Sequence, residues 1–371
     1  MKVVVIGGPT GVGKSELAFL LAEHLNGELI SCDSVQVFKH LSIGANKTSP
    51  GTPGREHLLD VAELDQPFTA ADYYEHVILC IKEIISRGRL PIVVGGSGFY
   101  LEWLLNGRPA APETDPIAMK AVEDRISGLS WSEALAVLAA VDPETANNLL
   151  PNDFYRLKRA LAVYEATKKP LSLFKNRHQP LPYDFRCFFL TADRESVCRN
   201  IDWRCEEMIE RGLIEEVFEL KQKYGLKAES QAGRSIGYHE TLLFLDSPPQ
   251  NKDSFLAYLE GFKAATRQYS RKQENWFQAQ KEFKFLPRQV PFQKLQSSDT
   301  LPQTLIKAIN LPREEYDSPD GWLSEVDSQT RLIRRQKSTQ LAMKLYRPHQ
   351  TRFTGPKLEQ LLHRIALLIN K

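Results

Sequence analysis

Short apolar runs alternate with amphipathic segments along the first hundred residues. Residues 3–6, 28–31 and 91–94 are runs of strand length, each leading into a glycine pair or an aspartate. Residues 16–26 and 72–87 place apolar side chains at helical spacing, and a glycine follows each of these segments. Strands that alternate with helices predict an α/β fold with a doubly wound, mainly parallel sheet.

The pattern changes between residues 109 and 182, where only helical periodicity is found, most clearly at 130–140 and 152–166. Residues 186–190 resume the strand pattern, helices follow over 194–224 and 254–281, and 283–286 is a candidate last strand. We therefore predict a core that begins at 1–108, a helical insertion at 109–182, a return to the core at 183–287, and an irregular basic extension of unknown role at 288–371.

The extension has a charge bias of its own. No acidic residue occurs between positions 328 and 357. Two interpretations stay open with equal weight: a solvated tail around a helix, or electrostatic contact with nucleic acid. The basic residues concerned are Arg331, Arg334, Arg335, Lys337, Lys344, Arg347 and Arg352.

Bulk composition is that of an ordinary globular protein. The chain has 371 residues, of which 42% are hydrophobic, and its net charge is only +2, so a nucleic-acid surface must come from local clustering. The five cysteines lack metal-ligand spacing, which favours a reducing compartment and no cysteine metal site. Without a targeting segment or a run long enough to span a bilayer, we expect a cytoplasmic protein, and a monomer.

A phosphate-binding loop follows the first predicted strand and precedes the first predicted helix. Its backbone amides and lysine would hold phosphate oxygens, and the hydroxyl of Ser15 could ligate Mg²⁺. On its own, such a loop most often binds a nucleoside triphosphate. The matching residues are Gly8, Pro9, Thr10, Gly11, Val12, Gly13, Lys14 and Ser15.

Asp33 and Gln36 follow the second predicted strand. Ligands of doubly wound sheets bind beyond the carboxyl ends of the strands, so both residues are expected beside the phosphate-binding loop. For an isolated aspartate, a turn or a helix cap is the commoner role.

Several blocks taken together resemble the tRNA dimethylallyltransferase family, also called tRNA isopentenyltransferases or IPP transferases, in its bacterial form. They occur in order across about residues 1–286. They are GPTGVGKSELA at 8–18, DSVQVF at 33–38, IGANK at 43–47, EHLLD at 56–60, GGSGFYLEWLLNG at 95–107, PNDFYRLKRALAVYEATKKPLS at 151–172, GRSIGYHE at 233–240 and TRQYSRKQENWF at 266–277.

The resemblance implies a prenyl transfer that uses Mg²⁺. The phosphate-binding loop would hold the diphosphate of dimethylallyl diphosphate, with Thr10 and Arg204 beside it. Asp33 would take a proton from the exocyclic amine of adenine. The base would be the adenosine 3′ of the anticodon in tRNAs that read codons beginning with U. The segment Ser34, Val35 and Gln36 would read that adenine.

The helical insertion would clamp the anticodon stem-loop by the same resemblance. Without it, a charged helix face is more often merely solvated, and a tryptophan at helical spacing more often belongs to a core. Ser97 stands where the family usually has threonine. The tRNA contacts implied are Ser97, Tyr155, Arg156, Leu157, Lys158, Arg159, Arg234, Gly237, Tyr238, Arg271, Lys272, Gln273 and Trp276.

Two other functions fit parts of the sequence. A small-molecule or nucleoside kinase would explain the phosphate-binding loop and the α/β core, but not the basic helical insertion. A non-catalytic RNA-binding protein would leave Lys14, Ser15 and Asp33 without a task. Binding of ATP but not of the allylic diphosphate would favour the kinase.

Overall fold

In the part of the chain that the structure describes, the sheet has six strands, and every strand pair in it is parallel. The computed structural model describes residues 1–47, 56–112, 115–174, 180–288, 294–296, 298–318, 322, 346 and 348–369. The strand order is β3-β2-β4-β1-β5-β6. This confirms the predicted α/β fold. The strands are β1 (Lys2–Gly7), β2 (Gly27–Cys32), β3 (Glu56–His57), β4 (Leu90–Gly95), β5 (Asp184–Thr191) and β6 (Lys284–Pro287).

Helices connect and follow these strands. In chain order they are α1 (Lys14–His24), α2 (Ala70–Ser86), α3 (Gly98–Asn106), α4 (Pro116–Ile126), α5 (Trp131–Ala139), α6 (Pro143–Asn148), α7 (Phe154–Thr167), α8 (Arg194–Glu210), α9 (Leu213–Tyr224), α10 (Tyr238–Asp246), α11 (Lys252–Gln278), α12 (Thr300–Asn310), α13 (Arg313–Asp317) and α14 (Gly355–Ile369), with a 3₁₀ turn at Leu171–Leu173.

The chain divides into two compact units. One comprises residues 1–101 and 183–371 and contains the sheet, and the other comprises Glu102–Pro182. The second unit has a core of its own, in which Val122 of α4, Leu138 of α5 and Leu161 of α7 are buried. A separate buried core is what allows a helical segment to interrupt a sheet without sharing its packing.

Three strands of the sheet end level with one another. In the pairing register Gly7 lies beside Gly95, and Cys32 lies on the other side of Gly95. A side chain at position 95 would collide with the Cys32 carbonyl oxygen, 2.0 Å from an ideal Cβ. The segments that follow β1, β2 and β4 therefore start side by side, which is where the candidate polar residues were expected.

The prediction of irregular structure after residue 287 is wrong for the described part of that region. Helices α12, α13 and α14 occur there, and α14 buries Leu358, Leu361 and Ile365 on one face. These three apolar residues recur at helical spacing, but the neighbouring proline and basic residues led to the prediction of irregular structure. Strand β3 and helices α3 and α10 were also not predicted. No helix among the described residues is long and apolar enough to cross a membrane.

Candidate active site

The phosphate-binding loop has the backbone shape of an anion cradle. Gly11 and Gly13 have φ values of +83° and +88°, in the left-handed region that side chains disfavour. Helix α1 begins directly afterwards at Lys14. Its first backbone N–H groups lack partners within the helix, and its dipole is positive at this end, so the loop and helix together favour a phosphate ligand.

Two cations converge on this loop. The ammonium of Lys14 donates a hydrogen bond to the Pro9 carbonyl at 2.9 Å, and Arg204 of α8 donates to the Thr10 hydroxyl. Burial, followed by the nearby charge of Arg204, lowers the pKa of Lys14 to about 7, although Asp33 opposes the shift. Burial also lowers the pKa of Arg204. Two positive charges at the same loop repel each other, and a bound anion would offset that repulsion.

Asp33 lies at the end of β2 and stabilises the turn that follows it. One carboxylate oxygen accepts the Val35 N–H at 2.8 Å and the Gln36 N–H at 3.4 Å. The turn role and a chemical role are compatible, because a carboxylate has about four acceptor positions. The Gln36 side chain accepts from the Ser31 hydroxyl at 2.7 Å and donates to the Ala45 carbonyl at 3.1 Å.

Ser97 supports the same turn from the end of β4. Its hydroxyl accepts the Ser34 N–H at 3.0 Å, and its backbone N–H donates to the Cys32 carbonyl. Position 97 needs a hydroxyl acceptor for this bond, and serine and threonine both provide one. The structure therefore gives Ser97 a positioning task near Asp33.

Gln273 of α11 links the ends of two strands. Its side-chain oxygen accepts the Thr10 N–H at 2.8 Å, and its side-chain nitrogen donates to the Gly96 carbonyl at 3.1 Å. Gln273 is buried, so its predicted contact with tRNA is replaced by a role inside the site. Tyr269, one helical turn earlier, lines a cavity beside the phosphate-binding loop, and burial raises its pKa. The spacing of four residues within the block at 266–277 could have predicted this shared face.

Most of these groups line a cavity of about 430 Å³ within the sheet-containing unit, while Ser97 and Gln273 support it from outside the lining. Phosphate-binding, acidic and base-reading candidates thus share one open-mouthed cavity, as a reaction between two substrates requires. Its lining includes Thr10, Lys14, Ser15, Asp33, Ser34, Val35, Gln36, Arg204, Arg234 and Tyr269.

Arg288 was not predicted and lies behind the phosphate-binding loop. Its guanidinium donates to the Val12 carbonyl at 2.8 Å and to Glu16 of α1 at 2.6 Å. An ideal Cβ at Gly13 would lie 1.2 Å from this guanidinium and would displace it, and the φ of +88° at position 13 also favours glycine. Arg288 therefore holds a carbonyl of the phosphate-binding loop and the first turn of α1 together. No sequence signal pointed to it, because it is distant in the chain and follows a short strand.

The predicted tRNA contacts of the helical unit lie on α7. Tyr155 is 64% exposed, and Arg156 and Lys158 form ion pairs with Asp153 and Glu123, at 2.7 Å in each case. Surface pairs of this kind are worth about 0–1 kcal/mol, so a phosphate could replace the acidic partners at little cost. Arg159 is half-buried.

Leu157 is a correction to the predicted tRNA surface. It is fully buried in the core of the helical unit, where it packs among the apolar side chains of α4, α5 and α7. Adjacent helix positions point in different directions, so a block that resembles a tRNA-binding motif necessarily includes core residues.

The predicted tRNA contacts of the other unit are divided between surface and interior. Arg234, Arg271 and Lys272 are exposed, and Arg234 also lines the cavity. Trp276 is half-buried and packs on Gly98, where an ideal Cβ would approach it to 2.7 Å.

Gly237 and Tyr238 are a further correction to the predicted tRNA contacts. Gly237 precedes α10 with φ +93°, and the Tyr238 side chain is fully buried. Neither presents a side chain to a macromolecule. Tyr238 instead contacts the backbone of residues 44–45.

Most of the basic extension falls outside the described residues. This applies to Arg331, Arg334, Arg335, Lys337, Lys344 and Arg347. Arg352 is described, and its contacts lie within the sheet-containing unit. Its guanidinium lies 4.3 Å from the ring centre of Trp203 and donates to Glu210 at 3.2 Å.

A hard divalent cation fits the donor groups of the cavity. Ser15 is exposed at the start of α1 and lines the same space as Asp33. Mg²⁺ keeps several waters and needs few protein oxygens when a substrate phosphate supplies the others. The described residues contain no cluster of three or more histidine, cysteine, aspartate or glutamate side chains that would suit another metal.

Comparison with known proteins gives one consistent family. The IPP transferase family model matches residues 36–280. A tRNA dimethylallyltransferase of Protochlamydia amoebophila is 36% identical over 291 residues, covering 77% of this chain and 83% of its own. One from Citrifermentans bemidjiense is 40% identical, covering 75% and 89%. tRNA dimethylallyltransferase 9 of Arabidopsis thaliana is 32% identical, covering 86% and 77%.

Solved structures agree with these relatives. A tRNA isopentenylpyrophosphate transferase from Staphylococcus epidermidis matches with a TM-score of 0.56 and 29% identity, covering 82% of this chain and 99% of its own. A eukaryotic dimethylallyltransferase acting on tRNA matches with a TM-score of 0.66 and 26% identity, covering 98% and 84%. The chain belongs to the IPP transferase family.

Proposed function

We propose that this chain transfers a dimethylallyl group from dimethylallyl diphosphate to N6 of an adenosine in tRNA and releases diphosphate. The acceptor is the adenosine 3′ of the anticodon in tRNAs that read codons beginning with U. The observation that carries the proposal is the shared cavity, in which the carboxylate of Asp33 faces an anion site built from Lys14, Arg204 and the amides of α1. Family membership supports the same reaction.

The chemistry requires a stabilised leaving group. Attack of N6 on C1 of the donor forms a C–N bond as the C1–O bond breaks, and the bonding electrons leave with the diphosphate. Lys14, Arg204 and the helix amides, which lie at the phosphate-binding loop, are the groups proposed to stabilise that negative charge. Preorganised charges of this kind supply a large share of catalysis because they need no reorganisation during the reaction.

The reaction also releases a proton from N6. The lone pair of this amine is delocalised into the adenine ring, so the amine is a poor nucleophile until the proton is accepted. Asp33 is the candidate acceptor, since one of its oxygens is fixed by the turn at Val35 and acceptor capacity remains. A positioned general base is typically worth about 10²–10⁴ in rate.

Mg²⁺ would be held by the Ser15 hydroxyl together with donor oxygens, and when bound it would supply further positive charge to the diphosphate. Protein groups would provide the rest of the substrate binding. To enter the cavity, the adenine must leave the stacked anticodon loop, which costs a few kcal/mol. The exposed cations Arg234, Arg271 and Lys272, with Arg156 and Lys158 on α7, are the groups proposed to offset that cost.

The proposal is tested by product analysis. Purified protein is incubated with Mg²⁺, labelled dimethylallyl diphosphate and an unmodified tRNA that reads UNN codons, and the nucleosides are then separated and weighed. We expect adenosine heavier by one dimethylallyl group at the single position 3′ of the anticodon. A parallel incubation contains ATP as well, and absence of product together with consumption of ATP would overturn the proposal in favour of a kinase. A Lys14→Met variant is the control for a contaminating activity.

A further inference from the structure

The segment at residues 42–47 forms part of the cavity wall but belongs to no helix or strand. Gly44, Ala45, Asn46 and Lys47 line the cavity. A segment without regular structure keeps a fixed shape only if its backbone polar groups find partners elsewhere. Most of those partners come from two side chains that the chemistry described above does not use, Glu216 and Tyr238.

Glu216 of α9 gathers successive backbone amides of this segment. Its carboxylate accepts N–H groups from Ser42 at 3.4 Å, Ile43 at 2.8 Å and Gly44 at 3.4 Å. The side chain is about 170 residues away from them in sequence. Hydrogen bonds to an ionised acceptor are roughly twice as strong as neutral ones, so one carboxylate holds three consecutive amides in place.

Tyr238 of α10 completes the arrangement. Its hydroxyl donates to Glu216 at 2.6 Å and accepts the Ala45 N–H at 3.2 Å. Its ring also packs against Gly44, where an ideal Cβ would lie 2.6 Å from a ring carbon. Four consecutive amides, from residue 42 to residue 45, therefore end on the Glu216–Tyr238 pair.

The fixed segment determines how Gln36 is oriented. The Ala45 carbonyl accepts the Gln36 side-chain N–H at 3.1 Å, and the Ser31 hydroxyl donates to the Gln36 side-chain oxygen at 2.7 Å. Turning the amide over would set its oxygen against the Ala45 carbonyl oxygen. The amide therefore has one N–H and further acceptor capacity left, in a known orientation, at the cavity wall.

We propose that Glu216 is a positioning residue for the acceptor base: through residues 42–45 and Gln36 it fixes the hydrogen-bonding edge offered to adenine. The inference rests on the proposed function, because it assumes that the base enters beside Gln36. Glu216 itself does not line the cavity, so its effect is indirect. The donor site should be insensitive to it, since Lys14 and Arg204 have separate partners.

The test is a double-mutant cycle between Glu216→Gln and Gln36→Ala, followed through kcat/KM for tRNA and through KM for dimethylallyl diphosphate. We expect Glu216→Gln to lower kcat/KM for tRNA by about tenfold or more, because an amide cannot accept at both former oxygens. KM for the donor should stay within about twofold. In the Gln36→Ala background, Glu216→Gln should lower kcat/KM for tRNA by a much smaller factor, because the effects of substitutions at coupled residues do not add.

Two comparison variants make the outcome decisive. Glu219→Gln alters an exposed carboxylate on the same helix and should leave the kinetics unchanged. Tyr238→Phe keeps the buried ring and should give a smaller effect in the same direction, which serves if Glu216→Gln does not fold. Additive effects of Glu216→Gln and Gln36→Ala, or an equal rise in KM for the donor, would overturn the inference. No product from the unchanged enzyme would instead refute the proposed function.

Discussion

At the scale of single residues, the groups proposed to do chemistry are held by groups from distant parts of the chain. Thr10 is contacted by Arg204 and by Gln273, and the Ser34 N–H, next to Asp33, donates to Ser97. Such partners fix the reacting groups in place before substrate arrives, which is the condition for electrostatic catalysis without reorganisation.

Arg288 gives a prediction at this scale. Arg288→Met keeps an unbranched stem but removes the hydrogen bonds to Val12 and Glu16, each worth about 1.5–3 kcal/mol when a charge is involved. We expect a lower melting temperature and donor binding weakened by roughly tenfold, about 1.4 kcal/mol. Calorimetric titration with dimethylallyl diphosphate measures this.

Arg313→Met is the matched control for Arg288, because Arg313 forms exposed ion pairs with Asp184 and Asp317. It should leave donor binding unchanged. Donor affinity that is equal in Arg288→Met and the unchanged protein would show that the loop keeps its shape without the guanidinium.

The residues of the site could be predicted from sequence only where a local pattern marked them. The phosphate-binding loop has a fixed spacing, and Asp33 follows a strand, so both could be named as candidates. Glu216 and Arg288 could not be, since their roles arise from contacts across about 170 and 276 positions. Tyr238 and Leu157 were given a role at the surface because a block resemblance does not separate buried from exposed positions.

At the scale of elements, strand β3 is held to the sheet by a buried acidic residue. Glu28 of β2 is 1% exposed and contacts His57 of β3 at 2.6 Å and Arg87 at 2.7 Å, with Arg89 at 3.2 Å. Burial alone would raise the pKa of Glu28, but the hydrogen bonds from Arg87 and His57 outweigh it and lower the pKa below its ordinary value. A two-residue strand cannot be recognised in the sequence, because its partner contacts define it.

This cluster predicts a pH-dependent stability. A carboxyl with a lowered pKa stabilises the fold at pH values above its ordinary value of 4.5, and that contribution is lost as the pH falls through the folded-state pKa. Glu28→Gln should therefore lower the free energy of unfolding by about 2 kcal/mol at pH 7 and by clearly less at pH 3.5, as measured by urea unfolding. Glu63→Gln, at an exposed pair with Lys39, is the control. Equal costs at both pH values would contradict the account.

At the scale of the whole molecule, the sequence predicted the sheet and the helical segment but not the organisation of the C-terminal residues. Alternating strands and helices have local periodicities, which is why the α/β fold could be predicted. The described C-terminal residues belong instead to the sheet-containing unit, where Phe353 is 3% exposed and packs edge-on against Phe255 of α11. Such packing joins residues that are far apart in the sequence, so a local sequence pattern cannot predict it.

Phe353 therefore predicts a structural role for the C-terminal region. Phe353→Ala should lower the free energy of unfolding by about 3–5 kcal/mol, the usual cost of emptying a buried phenylalanine site. Leu367→Ala, at a position 54% exposed on α14, should change it by less than about 0.5 kcal/mol. Urea unfolding followed by circular dichroism compares the two. Similar small effects would mean that this region does not stabilise the core.

The assignment of Asp33 as the acceptor of the N6 proton is tested most directly by single-turnover transfer. Enzyme in excess over labelled dimethylallyl diphosphate and tRNA is compared with Asp33→Asn, which can still accept the Val35 N–H, and with Asp33→Ala. We predict donor and tRNA affinities close to those of the unchanged protein and a transfer rate constant lower by at least about 100-fold in both variants. An unchanged rate constant would contradict the assignment.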